Sequence, residues 1–201
     1  MKISRHLLLF ACCILMLLCK SFAQKASIYN YVITNKGDTI HCELIKGLFG
    51  KVRYQPVTAT DGKYIKVTPK EIKTYYFAKD SSTYAAVALP GNTDAEYLKW
   101  VEQGKINLYE KVTTSTSGYV TSYNYFWYVS KDGSPLKELK SNTMFNDGGR
   151  KVRKGIFMDM IADDAPLLDK FNAEDKFSFE QLQTYVHQYN ADKTGAALTS
   201  K

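Results

Sequence analysis

Over residues 27–140 apolar and polar positions alternate in short runs rich in Tyr, Val, Ile and Thr, each closed by turn residues. Beyond Asn146 the repeat lengthens, and Val152, Ile156, Met160 and Ile161 recur at helical spacing. A period of two places one side of a strand on a core, whereas a period near 3.6 places one stripe of a helix there. The chain makes this switch once and does not return to strands. That order leaves no β-α-β alternation and therefore no parallel sheet. The expected fold class is α+β, an antiparallel β-rich region followed by about three C-terminal helices.

The β region divides in two. "SIYNYVIT" reaches a turn at Asn35-Lys36-Gly37-Asp38 and returns as "TIHCELIK"; "KVRYQP" and "YIKV" follow. Thr68 before Pro69, with Glu71 after it, signals one short helical turn, and "KTYYFA" resumes the strand pattern at once. This layout resembles a small SH3/Sm-like barrel unit over residues 24–78. Residues 79–145 read as antiparallel hairpins packed on it, with turns at Pro90-Gly91, Gln103-Gly104 and Lys131-Asp132-Gly133. The Thr/Ser/Gly-rich stretch 113–122 reads as a mobile loop.

Residues 146–190 form the helical segment. The first helix is expected over 151–162, and Asp164 before Ala165-Pro166 opens a second that reaches Phe171. In "FSFEQL", Ser178 with Gln181 three positions on is a capping box, and Phe177 and Leu182 are placed to staple it. The third helix therefore starts at Phe179 and ends near Asn190, leaving a frayed tail over 191–201.

The N-terminus carries its own signal. Lys2 and Arg5 precede an apolar run from Leu7 to Leu18, and Ser21 and Ala23 supply the small residues of a signal-peptidase site. The run falls short of the roughly 20 apolar residues a membrane span needs. Residues 1–23 are expected to be a cleaved signal peptide, with Gln24 the new N-terminus and no transmembrane span in the mature chain. Leu9-Phe10-Ala11-Cys12 has the shape of a lipobox, but only Leu7 to Ala11 would remain as its apolar core. A lipid anchor is not expected, and Cys12 is its only candidate. Loss of Lys2, Arg5 and Lys20 lowers the formal charge from +7 to +4, which is too mild to indicate a nucleic-acid partner. Cys12, Cys13 and Cys19 leave with the signal. Cys42 alone remains, so no internal disulfide can form.

His41 and Cys42 are adjacent on a strand and point to opposite faces, which keeps them from acting as base and nucleophile. Cys42 is expected to be buried and His41 to face out. His187 lies on the last helix. No HExxH, CxxC, GxSxG, Walker loop, GxGxxG or paired-carboxylate signature occurs, and no metal site or cofactor is expected. Asp159 and Asp163 share a helix face, but Asp164 is explained as a cap and calcium loops need more oxygens. Arg150, Lys151, Arg153 and Lys154 open a helix with cations, against its dipole, and are candidates for contact with an anionic partner. On "YNYFWYV", Tyr123, Tyr125 and Trp127 share one face, a candidate aromatic platform for a sugar or a protein.

The stretches "YVITNKGDTIHCEL", "KYIKVTPKEIKTYYF", "YLKWVEQGKINLYEKV" and "YFWYVSKDGSPLKEL" resemble exported proteins of unknown function common in Bacteroidetes. Those proteins pair a signal ending in "FAQ" with an xGDTIxGxI hairpin, a GKxxLY strand pair and a terminal helix closing on "YN". Residues 32–45, Gly104 to Tyr109 and Tyr189-Asn190 carry the match. Cys42 departs from it, standing where the pattern has glycine or a polar residue. The resemblance implies export and architecture and transfers no catalytic residue. The expected function is a non-catalytic binding or interaction module of the cell envelope, secreted or periplasmic, whose partner is an envelope protein or glycan. One alternative is an envelope-associated hydrolase using His41 or His187 with a carboxylate. A structural subunit of an envelope assembly is the other.

Overall fold

Alternation of small turns with β-branched and aromatic runs builds ten strands, all paired antiparallel, in a computed structural model that describes residues 29–47, 50–143, 149–174 and 176–199. The strands are β1 (Tyr31–Thr34), β2 (Thr39–Lys46), β3 (Val52–Pro56), β4 (Ile65–Lys66) and β5 (Ile72–Phe77). They continue as β6 (Ser82–Ala88), β7 (Ala95–Glu102), β8 (Ile106–Ser117), β9 (Val120–Lys131) and β10 (Lys137–Ser141). Helices α1 (Arg150–Ile161), α2 (Ala165–Ala173) and α3 (Phe179–Thr199) follow. The signal peptide expected over 1–23, with Cys12 and Ala23, lies outside the described residues. No helix among the described residues is long and apolar enough to cross a membrane.

The sheet order is β10-β9-β8-β7-β6-β5-β1-β2-β3-β4. The chain runs outward from β1 to β4. It then returns through the turn at Thr68, whose carbonyl accepts from the N–H groups of Glu71 and Ile72 at 3.1 and 2.9 Å. β5 pairs on the free side of β1, and the remaining strands meander outward from there. The barrel expected over 24–78 is not closed. β5 spends one edge on β1 and the other on β6, which leaves none for β4, and the sheet continues unbroken past residue 78.

Residues 113–122 are strand rather than loop. Thr113 to Ser117 pair with Val120 to Asn124 around a two-residue turn in which Gly118 has a φ of +61°, the conformation that glycine adopts most readily at the first position of a II′ hairpin turn. The β-branched threonines there favour the extended conformation once the partner strand is in register.

Three apolar clusters hold the described residues together. Val32, Cys42, Leu44, Val52, Tyr54 and Ile72 fill the concave side of the curled N-terminal strands. At the other end of the same sheet face, Ile106, Leu108, Trp127, Val129 and Leu139 pack beneath the helices, against Phe157, Phe171, Leu182, Val186 and Tyr189. The reverse face of β6–β9 carries Ala85, Leu98, Tyr109 and Tyr128. The opposite parity of Trp127 and Tyr128 follows from the pleat.

The helix starts obey local rules. Asp164 accepts from the Leu167 N–H at 3.3 Å with Pro166 in the first turn of α2, and Ser178 accepts from the Gln181 N–H at 3.0 Å to cap α3. The return half of the expected capping box is missing, because the Gln181 amide donates to Glu174 instead. α3 runs on to Thr199, past the end expected at Asn190. Lys193 ties the extra turns back by donating to the Asp163 carbonyl at 2.9 Å.

Candidate functional site

One cross-strand row locates the region where the sheet changes character. Ile40, Val32, Tyr75, Tyr84, Lys99, Glu110 and Trp127 stand opposite one another in successive strands and so share a face. The row is apolar or aromatic where the N-terminal strands curl over it, and aromatic again where the helices cover Trp127. Between these covered ends stand Lys99 and Glu110, over the opening of a cleft of about 730 Å³.

The N-terminal strands contribute Lys46, Lys51, Lys66, Val52 and Val67 to this cleft, and β7–β8 contribute Lys99, Glu110, Lys111 and Val112. Tyr75, Tyr84 and Tyr97 form its aromatic part. Tyr75 stacks on Tyr84 with centroids 4.9 Å apart and meets Tyr97 edge-on at 4.9 Å. The Tyr97 hydroxyl donates to the Ile72 carbonyl at 2.8 Å, which fixes that ring. Burial pushes the Tyr75 and Tyr97 phenols well above their ordinary range, and it raises Tyr84 as well. All three are therefore neutral hydrogen-bond donors at physiological pH.

Five lysines against two glutamates give the cleft lining a formal charge of +3. Both carboxylates are engaged. Glu96 pairs with Lys111 at 2.8 Å, and Glu110 accepts from the Trp127 indole N–H at 3.0 Å. Lys46, Lys51, Lys66 and Lys99 form no ion pair among the described residues. The lining holds no histidine, cysteine, serine or threonine.

The residues singled out in the sequence lie elsewhere and do not form one surface. Tyr123 and Tyr125 are exposed, on the stretch of β9 that projects beyond the helices, whereas Trp127 is buried with its ring 4.9 Å from Phe179. The platform of three is thus reduced to two, because the helical layer ends between Tyr125 and Trp127. In the basic turn, Arg150 and Lys151 are exposed, but Arg153 is buried against β10, 3.5 Å from the Ser141 hydroxyl. Lys154 donates to the Glu174 carbonyl and lies over the Phe171 ring.

His41 is exposed and lies 6.1 Å, edge-on, from Tyr29, while Cys42 is buried on the opposite face. Burial pushes the Cys42 thiol up to about 11, a rise that a backbone hydrogen bond from Val32 only partly offsets, so it is a protonated packing residue. His187 Nδ1 lies 3.2 Å from Glu102, whose other oxygen accepts from Gln183 at 3.0 Å. This pair sits on an open helix face and does not line the cleft.

Asp163 is surrounded by cations. It accepts from Lys131, from Lys105 at 3.4 Å and from the Tyr189 hydroxyl at 2.9 and 3.0 Å, and Lys193 approaches at 3.6 Å. Burial alone would raise its carboxyl, but the hydrogen bonds from Lys131 and Tyr189 and the lysine charges hold it well below the usual carboxylate range. With Asp164 capping α2, the aspartates at this corner join helices to the sheet. No group of three or more potential metal-ligating side chains occurs among the described residues.

The cleft lysines were not legible as a group, since each is an ordinary solvent-side residue of its own strand. The period-2 pattern does place Lys99 between Tyr97 and Val101 on a face with aromatic neighbours, which was the available signal. No protein-family model, no curated protein and no solved structure matches this chain.

Proposed function

We propose that the protein is an exported, non-catalytic binding module of the cell envelope, with the lysine- and tyrosine-lined cleft as its contact site. The observation that carries this reading is the composition of the cleft: a concavity of the size that ligands occupy, with net positive charge and neutral phenol donors and no histidine, cysteine, serine or threonine in its lining. Export rests on the n-region, apolar run and small-residue site at residues 1–23. The order β5-β1-β2-β3-β4 favours describing residues 31–77 as a half-open, barrel-like unit whose concave side forms one wall of the site.

The hydrolase alternative has less support. Among the described residues its one histidine–carboxylate pair, His187 with Glu102, stands outside the cleft, and the other Glu102 oxygen accepts from Gln183. The structural-subunit alternative draws on the projecting β8–β9 ribbon, where Tyr119, Val120 and Tyr123 are exposed.

The test is binding of labelled mature chain to envelopes isolated from the producing cells. Saturable binding, displaced by unlabelled protein and weakened by Lys99→Glu, with no release of soluble fragments, is the expected result. Fragment release that depends on His187 would overturn it in favour of hydrolysis. N-terminal sequencing of the exported protein should begin at Gln24.

A further inference from the structure

Three lysines without an ion pair line one concavity, and they come from three separate segments: Lys46 from the end of β2, Lys51 from the turn before β3 and Lys99 from β7, whereas Lys66 pairs opposite Arg53 and so turns to the other face of β4 from buried Val67. Like charges gathered around a low-dielectric wall repel each other and focus a positive potential into the space between them. Glu96 offsets Lys111, and Glu110 keeps its charge while accepting from Trp127, so the lining as a whole stays at a formal +3.

The chemistry of the lining narrows the anion. A compact phosphate is commonly held by an arginine fork or by the N-terminus of a helix, and this cleft has neither, since Arg53 is not in its lining and all three helices cover the other end of the sheet. Lysine ammonium groups act as separate point charges, suited to single anionic groups spaced along a ligand. Between them, Tyr84 is half-buried on Tyr75, and neither phenol has a hydrogen-bond partner among the described residues. An amphipathic ring with a free hydroxyl donor suits a ligand that presents both C–H surface and hydroxyl oxygens.

We propose that the cleft binds an acidic glycan strand, its carboxylate or sulfate groups taken by Lys46, Lys51 and Lys99 and one of its sugar rings lying against Tyr84. This assignment rests on the binding-module reading and deepens it by naming the class of ligand. The Tyr75 and Tyr84 hydroxyls donate to sugar oxygens, and the cleft volume of about 730 Å³ accommodates a short run of sugar units.

Calorimetric titration of the mature chain tests it with four probes of matched length: a galacturonate oligomer, a sulfated galactosaminoglycan oligomer, a neutral dextran oligomer and poly-glutamate. At least one acidic oligosaccharide should bind at least ~10-fold more tightly than dextran and poly-glutamate, with an affinity that falls as salt rises. The variant Lys46→Gln/Lys51→Gln/Lys99→Gln should lose ~10-fold or more in affinity, and Tyr84→Phe a smaller factor. A charge-matched control, Lys36→Gln/Lys79→Gln/Lys137→Gln, removes three exposed cations elsewhere and should leave the affinity unchanged; circular dichroism confirms that each variant is folded. Equal losses in the two triple variants would reduce the effect to general charge attraction and overturn the proposal. So would poly-glutamate binding as tightly as the acidic sugars, which would assign the cleft to an acidic peptide. If both acidic sugars fail while the chain still binds envelopes through Lys99, the glycan assignment falls and the binding-module reading stands. If envelope binding fails too, both fall.

Discussion

The side-chain amide of Asn190 exchanges two hydrogen bonds with the backbone of Ile106, 84 positions away in the chain. Oδ1 accepts from the Ile106 N–H at 2.9 Å, and Nδ2 donates to the Ile106 carbonyl at 2.8 Å. At this point β7 has bulged past Trp100, and its last described pair with β8 is Glu102 with Leu108. The helix thus supplies, through one side chain, the two bonds that a neighbouring strand would have made. Gly104 makes the approach possible, since a Cβ there would overlap the Asn190 carboxamide.

Asn190→Ala strands a buried N–H and a buried carbonyl, each at about 1–3 kcal/mol, so a total loss of about 2–6 kcal/mol is expected in denaturant unfolding. Gly104→Ala should destabilise as well, by displacing the same carboxamide. The double variant should lose less than the sum of the two single losses, because both disrupt one contact. Strict additivity would show that Gly104 and Asn190 act independently.

Asp163 gives the fold a pH dependence of definite sign. A carboxylate whose folded pKa lies below its unfolded value, about 3.9, stabilises the fold above that value, and the contribution fades as the pH falls towards the folded pKa. Asp163→Asn should therefore lower the melting temperature at pH 7, where Lys105, Lys131 and Lys193 would face no counter-charge from that side chain. The gap between variant and wild type should narrow below about pH 4. Because the Asp163 side chain is 43% exposed, added salt should shrink the gap as well. A gap that stays constant down to pH 2 would mean that the carboxylate charge contributes nothing.

Features set by neighbouring residues were readable in the sequence. The change of period near Asn146, the turn at Lys131-Asp132-Gly133 and the Ser178 cap all act within a few positions. Features set by distant partners were not. Residues 113–122 read as loop because their strand character comes from pairing Thr113–Ser117 with Val120–Asn124, which composition does not report. α3 read as ending at Asn190 because nothing local shows that Lys193 will reach Asp163 and Asp164. The barrel read as closed because the local strand order is the same whether β5 turns its second edge to β4 or to β6. The cleft was hidden for the same reason, since it exists only once the sheet curls and brings β2–β4 across from β7 and β8. The "GK" of Gly104-Lys105 and the "YN" of Tyr189-Asn190 did mark a real feature, but it is a joint between helix and sheet.

Cys42 should behave as a core residue. Its burial and raised pKa predict that Ellman's reagent at pH 8 labels the native protein no faster than the protein unfolds, and labels it completely in denaturant. Rapid labelling of the native state would mean that the curled N-terminal strands open freely. It would also remove the rigid wall on which the proposed site depends.

Tyr123 and Trp127 share parity on β9 yet should respond oppositely to truncation. Trp127 is 4% exposed, packs edge-on against Phe179 and donates to Glu110, so Trp127→Ala opens a cavity under α3 and leaves that carboxylate without its indole partner. The expected loss is about 3–5 kcal/mol, read as a shifted denaturant midpoint. Tyr123 is 56% exposed beyond the helices, and Tyr123→Ala should stay within about 0.5 kcal/mol of wild type. Glu110 carries its charge in the cleft whether or not the indole donates to it. Glu110→Gln, whose amide oxygen can still accept the Trp127 N–H, should therefore strengthen acidic-oligosaccharide binding while remaining folded. Unchanged affinity in Glu110→Gln would show that the Glu110 charge is not felt by the ligand, and would place the bound strand nearer Lys46 and Lys51 than Lys99.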